Sequence, residues 1–153
     1  MELKNAIDSK IINLNLKAKN KKEAIIELSE LLLKAGYIDN VDEFINDIYL
    51  RESEGITGIG NYIAIPHGKS DSVTNIGIAI GKLDHEIEWE TLDNKGVKII
   101  FLFCVSNNAE FAQNHMRLLA QIAGRLGNDK VVEKLQQVKT VEELKNILLN
   151  QAE

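Results

Sequence analysis

Ala24, Leu28, Leu31, Leu32 and Ala35 recur at the three- and four-residue spacing of one helix face. Asn20 stands ahead of them as an N-cap, Glu23 follows three residues on at the capping-box spacing, and Gly36 supplies a stop. A second helix is predicted from Asn40, again with a glutamate three residues later (Glu43), to about Glu52. Its stripe is Val41, Phe44, Ile45, Ile48 and Tyr49. Further along, the pattern predicts a long helix from Glu110 to Leu126 with Gly127 at its end. A short helix around Lys130 to Gln136 follows, then a last one from Thr140, capped with Glu143, to about Asn150. Strands are predicted at Ile11–Leu16, at Tyr62–Ile65 closed by Pro66, and at Ile76–Ile80. Ile99 to Val105 is apolar at every position, the mark of a central strand covered on both faces. Strand, helices, strands, helices in that order predict an α/β fold, a three-layer α/β/α sandwich with a small mixed β-sheet.

The remaining features narrow this picture. No internal repeat, low-complexity tract or Pro/Gly-rich linker interrupts the chain, which has one proline in 153 residues, so a single domain over 1–153 is expected. Hydrophobic residues make up 44% and charged residues 27%, an ordinary globular balance. The longest apolar run is far too short to span a membrane. Met1 to Asn5 shows no basic stretch followed by an apolar core, so no secretory signal is expected. The net charge of -5 argues against a nucleic-acid partner, because a phosphate-backbone binder carries a basic footprint. Cys104, the one cysteine, excludes an internal disulfide. It fits a reducing compartment, and its place in an apolar strand predicts a buried, inert thiol.

The chemistry concentrates in Gly58-Ile59-Gly60-Asn61-Tyr62-Ile63-Ala64-Ile65-Pro66-His67-Gly68. Pro66 has no N–H and ends a strand, and Gly68 is expected to let the backbone turn tightly and a ligand approach. His67 would then stand at the C-terminal end of a strand, where ligands gather in open α/β sheets. A neutral imidazole there is a nucleophile able to carry a covalent intermediate; the alternative is a surface-turn histidine without a role. His115, four after Phe111 and three before Leu118, falls within the apolar stripe of its helix and faces the sheet. It reads either as a second histidine at the same sheet end, if the two strands run parallel, or as a core histidine bonded to a backbone carbonyl. Arg51 ends the second helix. It reads either as a guanidinium for phosphoryl oxygens or as a C-terminal cation on the helix dipole. Gly68-Lys69-Ser70 imitates the end of a phosphate-binding P-loop, but the glycine required five residues earlier is Ile63. His85 reads as a solvated turn and Trp89 as a core or edge anchor. The three histidines are not spaced as metal ligands.

Taken together, Arg51-Glu52, Thr57-Gly58-Ile59-Gly60, Ile63-Ala64-Ile65-Pro66-His67-Gly68, Ile87-Glu88-Trp89, the apolar strand at 98–105 and His115 with Leu118-Leu119 resemble a known family. This is the fructose/mannitol-type enzyme IIA domain of the bacterial phosphoenolpyruvate-dependent sugar phosphotransferase system. The resemblance runs over nearly the whole chain. It implies a cytoplasmic phosphotransferase component in which His67 accepts a phosphoryl group from the carrier HPr and passes it to a IIB domain. His115 and Arg51 would stabilise that group, with backbone N–H groups near Gly68 as further donors. It implies no cofactor and no metal, and contact with the membrane only indirectly, through a IIC transporter. With no IIB or IIC region attached, a stand-alone IIA subunit is expected. The sugar reads as fructose, with mannitol and galactitol open. A nitrogen-related regulatory branch of the same family is the alternative, and a histidine-based metallohydrolase a distant third. Tyr62, where the family often has glycine, is expected to alter the rim of the site, and Ser106–Ala109 lacks an expected proline.

Overall fold

The computed structural model describes residues 2–149, Glu110 through its backbone only. In chain order the elements are α1 (Leu3–Ala6), β1 (Ile12–Asn13), α2 (Lys21–Lys34), α3 (Val41–Glu52), β2 (Gly58–Gly60), β3 (Ile63–Ala64), β4 (His67–Lys69), β5 (Gly77–Ile87), β6 (Val97–Val105), α4 (Ala112–Leu126), α5 (Asp129–Gln137) and α6 (Val141–Leu149). Two single 3-10 turns, Ser9–Ile11 and Ala109–Phe111, lead into β1 and α4. The described strands form one sheet in the order β1-β5-β6-β3-β2, with β4 also on β6. It is mixed: β5 and β6 are antiparallel, whereas β1 runs parallel to β5, and β3 and β4 run parallel to β6.

The unbroken apolar run of β6 explains the layers. Successive strand side chains point to opposite faces. Ile99, Phe101, Phe103 and Val105 enter one core with Leu118, Ile122, Leu135 and Leu144 of α4, α5 and α6. Ile100, Leu102 and Cys104 enter a second core with Leu28, Leu32, Phe44 and Ile48 of α2 and α3. Two cores on two sheet faces are the three-layer sandwich expected from the sequence. The caps form as spaced. Asn20 accepts from the Glu23 N–H at 2.9 Å, Asn40 from the Glu43 N–H at 3.0 Å, and Thr140 and Glu143 cap each other reciprocally. Gly36, with φ of 85°, closes α2 while the Tyr37 N–H returns to the Leu32 carbonyl at 2.9 Å.

Several boundaries differ, each for a local reason. The strand expected at 11–16 shrinks to Ile12–Asn13, because the Asn13 side chain accepts the Asn15 N–H at 2.9 Å and turns the chain. β5 runs on to Ile87, so His85 lies exposed on a strand rather than in a turn, with its Nδ1 2.6 Å from Asp84. Trp89 is buried, as an anchor should be. The first turn of the helix expected from Glu110 is the 3-10 turn, and Asn150 lies outside the described residues. Asn61 and Tyr62 both take positive φ (55° and 67°) in the two-residue turn from β2 to β3, a place that favours Asn-Gly. Lys95 and Lys98 lie over the Tyr62 ring at 5.6 and 4.9 Å. Contrary to expectation, Tyr62 is not on the rim of the His67 site. Its carbonyl accepts from Lys98 and Ile99 at the start of β6, whereas His67 pairs with Phe103. That separation is about 15 Å at the strand rise of ~3.3 Å per residue.

Candidate functional site

Pro66 ends β3 by lacking a donor, yet its carbonyl still accepts the Phe103 N–H at 2.9 Å. The chain therefore rejoins β6 at once as β4, whose first residue is His67. This corrects the turn expected at Gly68. With Phe103 N–H on Pro66 and the Ser70 N–H on the Val105 carbonyl at 3.1 Å, the parallel ladder turns Gly68's own N–H toward β6. The N–H groups turned away from β6 are those of His67 and Lys69. Gly68 instead makes room: a β-carbon there would overlap the ring of Phe44 on α3. Gly68 is thus a packing residue, and a direct phosphoryl contact from its N–H does not fit this register.

β3, β4 and β6 run parallel, which meets the condition on which His67 and His115 share a sheet end. After β6 the chain turns through 106–111 and α4 folds back. Its His115 ring stands edge-on to His67, centroids 5.4 Å apart, and 5.9 Å from Phe103. The His67 ring stacks on its ladder partner Phe103 at 5.1 Å. Two ring nitrogens, Nδ1 of His67 and Nε2 of His115, are buried without a hydrogen-bond partner. Buried polar atoms are normally paired, so two orphans in neighbouring rings are unlike a satisfied core histidine. Arg51, on the last turn of α3, donates from Nη1 to the Gly55 carbonyl at 3.3 Å and is close enough to act on His67 electrostatically.

His67 is 8% exposed. Burial, then the nearby His115 and Arg51, push its pKa down to about 4, with the Ile65 carbonyl acting weakly the other way. Burial, and then Lys69, lower His115 as well. Both rings are therefore neutral near pH 7. An unfolded His67 takes up its proton near pH 6.5, the folded one only near 4. The unfolded state binds more protons between those values, so stability falls as the pH drops through that window. Allowing for water at the ring's open edge, His67 contributes a loss of about 2 kcal/mol. Urea unfolding midpoints measured at several pH values across the window should show it as the part of the wild-type slope that is missing in His67→Ala.

The structure thus sets His115 against His67, with Arg51 near enough to act on His67 electrostatically. Nothing in the sequence marked Phe103, hidden in a uniformly apolar strand, or Lys69, which shares a strand face with His67. Lys21 carried no signal at all, and Glu52, Thr57 and Trp89 stood in the quoted motifs with nothing to link them: Lys21 and Thr57 meet Glu52 behind Arg51, and Trp89 donates to Thr57. Cys104 is buried, and burial raises its thiol pKa far above the usual range, as an inert thiol requires. Among the described residues no three His, Cys, Asp or Glu side chains come together, so the metallohydrolase reading finds no ligand set. No described helix is long and apolar enough to cross a membrane.

Residues 5–151 match the family model of the phosphoenolpyruvate-dependent sugar phosphotransferase system, EIIA 2. The 2-O-alpha-mannosyl-D-glycerate-specific EIIABC component of Escherichia coli (strain K12) is 32% identical over 136 residues, 88% of this chain and 20% of that protein. The fructose-specific EIIA component of Haloferax volcanii is 29% identical over 90% of this chain and 88% of its own length. The nitrogen regulatory protein of Klebsiella oxytoca is 31% identical over 97% of this chain and 90% of its own. The chain spans about a fifth of the length of the EIIABC relatives it matches and most of the length of the other two. The crystal structure of the nitrogen regulatory protein IIA-Ntr from Neisseria meningitidis shares the fold, with a TM-score of 0.84 at 27% identity over 94% of this chain and 97% of that one.

Proposed function

This chain belongs to the EIIA 2 family of the phosphoenolpyruvate-dependent sugar phosphotransferase system, and on that premise we propose that it is a cytoplasmic phosphoryl carrier working through His67. The observation that carries the reading is one neutral, buried imidazole, set beside a second imidazole with an unpartnered nitrogen and within the electrostatic influence of a guanidinium. Such a site can hold a phosphoryl group by position and charge, which is most of what phosphoryl transfer asks of a protein. Phospho-HPr presents its phosphohistidine in line with His67. The donor P–N bond breaks, its nitrogen keeping the electron pair, as the lone pair of His67 forms the new N–P bond. Nδ1 is the buried nitrogen, so the reading gives the attack to Nε2. Arg51 and a His115 N–H neutralise the equatorial oxygens. A IIB domain then takes the group by the same step in reverse.

A cleft of about 560 Å³ beside Lys21, Tyr49 and Glu52 opens behind Arg51 and is lined by neither His67 nor His115. Exposed Leu50 and Met116 adjoin Arg51 and His115 in sequence. Both features suit a surface met by protein partners rather than a small-molecule pocket. Fructose is the favoured sugar, with mannitol and galactitol open. The regulatory branch is the second reading, favoured by the likeness to nitrogen regulatory proteins over nearly their whole length. Intact-protein mass after incubation with phosphoenolpyruvate, enzyme I and HPr tests the carrier reading. One acid-labile phosphoryl group is expected, and no uptake from a competent HPr overturns it. Loss of the group on adding a cognate IIB assigns the transport branch, and retention assigns the regulatory one.

A further inference from the structure

Behind Arg51 lies a buried polar cluster that the transfer chemistry does not itself use. The Glu52 side chain is 8% exposed. Its Oε1 accepts from Lys21 Nζ at 2.5 Å and its Oε2 from Thr57 Oγ1 at 2.6 Å. Thr57, 2% exposed, also accepts from Trp89 Nε1 at 3.4 Å. Lys21 in turn lies 4.9 Å over the Trp89 ring and 2.8 Å from Glu90. One cluster therefore joins the start of α2, the end of α3, the segment before β2 and the segment after β5.

Two connections run from it to the site. Arg51 is the neighbour of Glu52, and its guanidinium is held by the Gly55 carbonyl inside the turn that Glu52 and Thr57 close. The Thr57 carbonyl accepts the Ile65 N–H at 2.9 Å, two residues before His67. Glu54, Gly55 and Ile56 are exposed, so the buried Thr57 is what anchors this turn. A long arginine side chain gives up much rotamer freedom to stay in one place, and an anchored turn supplies that restraint. A buried ion pair is weak evidence of added stability, which turns attention to geometry.

We propose that Glu52 is a positioning residue: by bridging Lys21 and Thr57 it holds the 53–57 turn so that Arg51 faces His67. The reaction it serves rests on the carrier reading above, but its test need not. The protonation midpoint of His67, followed by NMR of its ring protons, is compared in wild type, Glu52→Ala, Arg51→Gln and the double variant. Among the described residues the charged or titratable groups that act on His67 are His115 from α4 and Arg51 from α3, with Lys69 acting on His115. Removing a carboxylate alone favours the neutral ring and lowers the midpoint. Displacing Arg51 raises it. Glu52→Ala is expected to raise it as far as Arg51→Gln does, with no further rise in the double variant. Lys21 keeps Glu90 as a partner in that variant, and Thr57→Val, which changes no charge, is expected to shift the midpoint in the same direction. An unchanged or lowered midpoint in both variants overturns the positioning role. In the phosphorylation assay the Glu52→Ala rate should fall roughly tenfold to a hundredfold, with the double variant no slower than Arg51→Gln. A wild type that takes up no phosphoryl group overturns the carrier reading instead, whatever the midpoints do.

Discussion

His67→Ala protein is expected to take up no phosphoryl group from an HPr that loads the wild type, and yet to remain folded. Complete loss is expected because the reading gives the two neutral imidazoles different parts: His67 accepts the group, and His115, half-buried beside it with Nε2 unpartnered, steadies it. His85 is exposed and beside Asp84, away from both. The folded state should tolerate the change. Removing the ring loses its stacking on Phe103 at 5.1 Å, but it also removes a buried nitrogen that has no partner. These effects oppose each other, and the net change at pH 7 should stay within about 1–2 kcal/mol. Intact mass reports the first part and urea unfolding the second. A stable His67→Ala protein that still gains an acid-labile group would move the acceptor to another residue.

Gly68→Ala should lower stability by about 3 kcal/mol, the upper end of what overpacking costs. Relief is hard to find at this position. Phe44, whose ring a new β-carbon would overlap, is fully buried in the α2/α3 core. The backbone of β4 is held in its ladder by Pro66–Phe103 and Ser70–Val105 bonds on either side. The strain can relax only by moving Phe44 or by pulling β4, and His67 with it, off β6. Shortening the ring should separate the two: Phe44→Leu in the Gly68→Ala background is expected to cost less than the sum of the single changes, a coupling that urea unfolding of the four proteins measures. Wild-type stability in Gly68→Ala would mean that β4 shifts freely and that the glycine serves the turn its sequence context suggested.

These expectations divide along a physical line. Whatever is settled within a few residues could be read from the chain alone. The caps at Asn20, Asn40 and Thr140, the stop at Gly36 and the helical stripes all depend on partners three or four positions away; the caps and the stop form as spaced, and the stripes do except at Tyr49 and Phe111, which lie exposed. The double-sided burial of β6 was legible for a related reason: seven consecutive apolar residues have no solvated face in any arrangement, so two layers had to cover them. The motif at 58–68, with Arg51 and His115, named the candidate site as a set of residues. What joins them was decided only by the tertiary structure. Strand pairing and side-chain contact depend on residues brought together from far along the chain, and no local spacing encodes them. The parallel register of β4 on β6 turned Gly68 from a turn into a packing gap, and it sent Tyr62 to the far end of the sheet. The Lys21–Glu52–Thr57–Trp89 cluster draws on four separate segments. Read alone, Lys21 is one more charged residue at a helix start, because a buried ion pair exists only once the fold has removed the water around it.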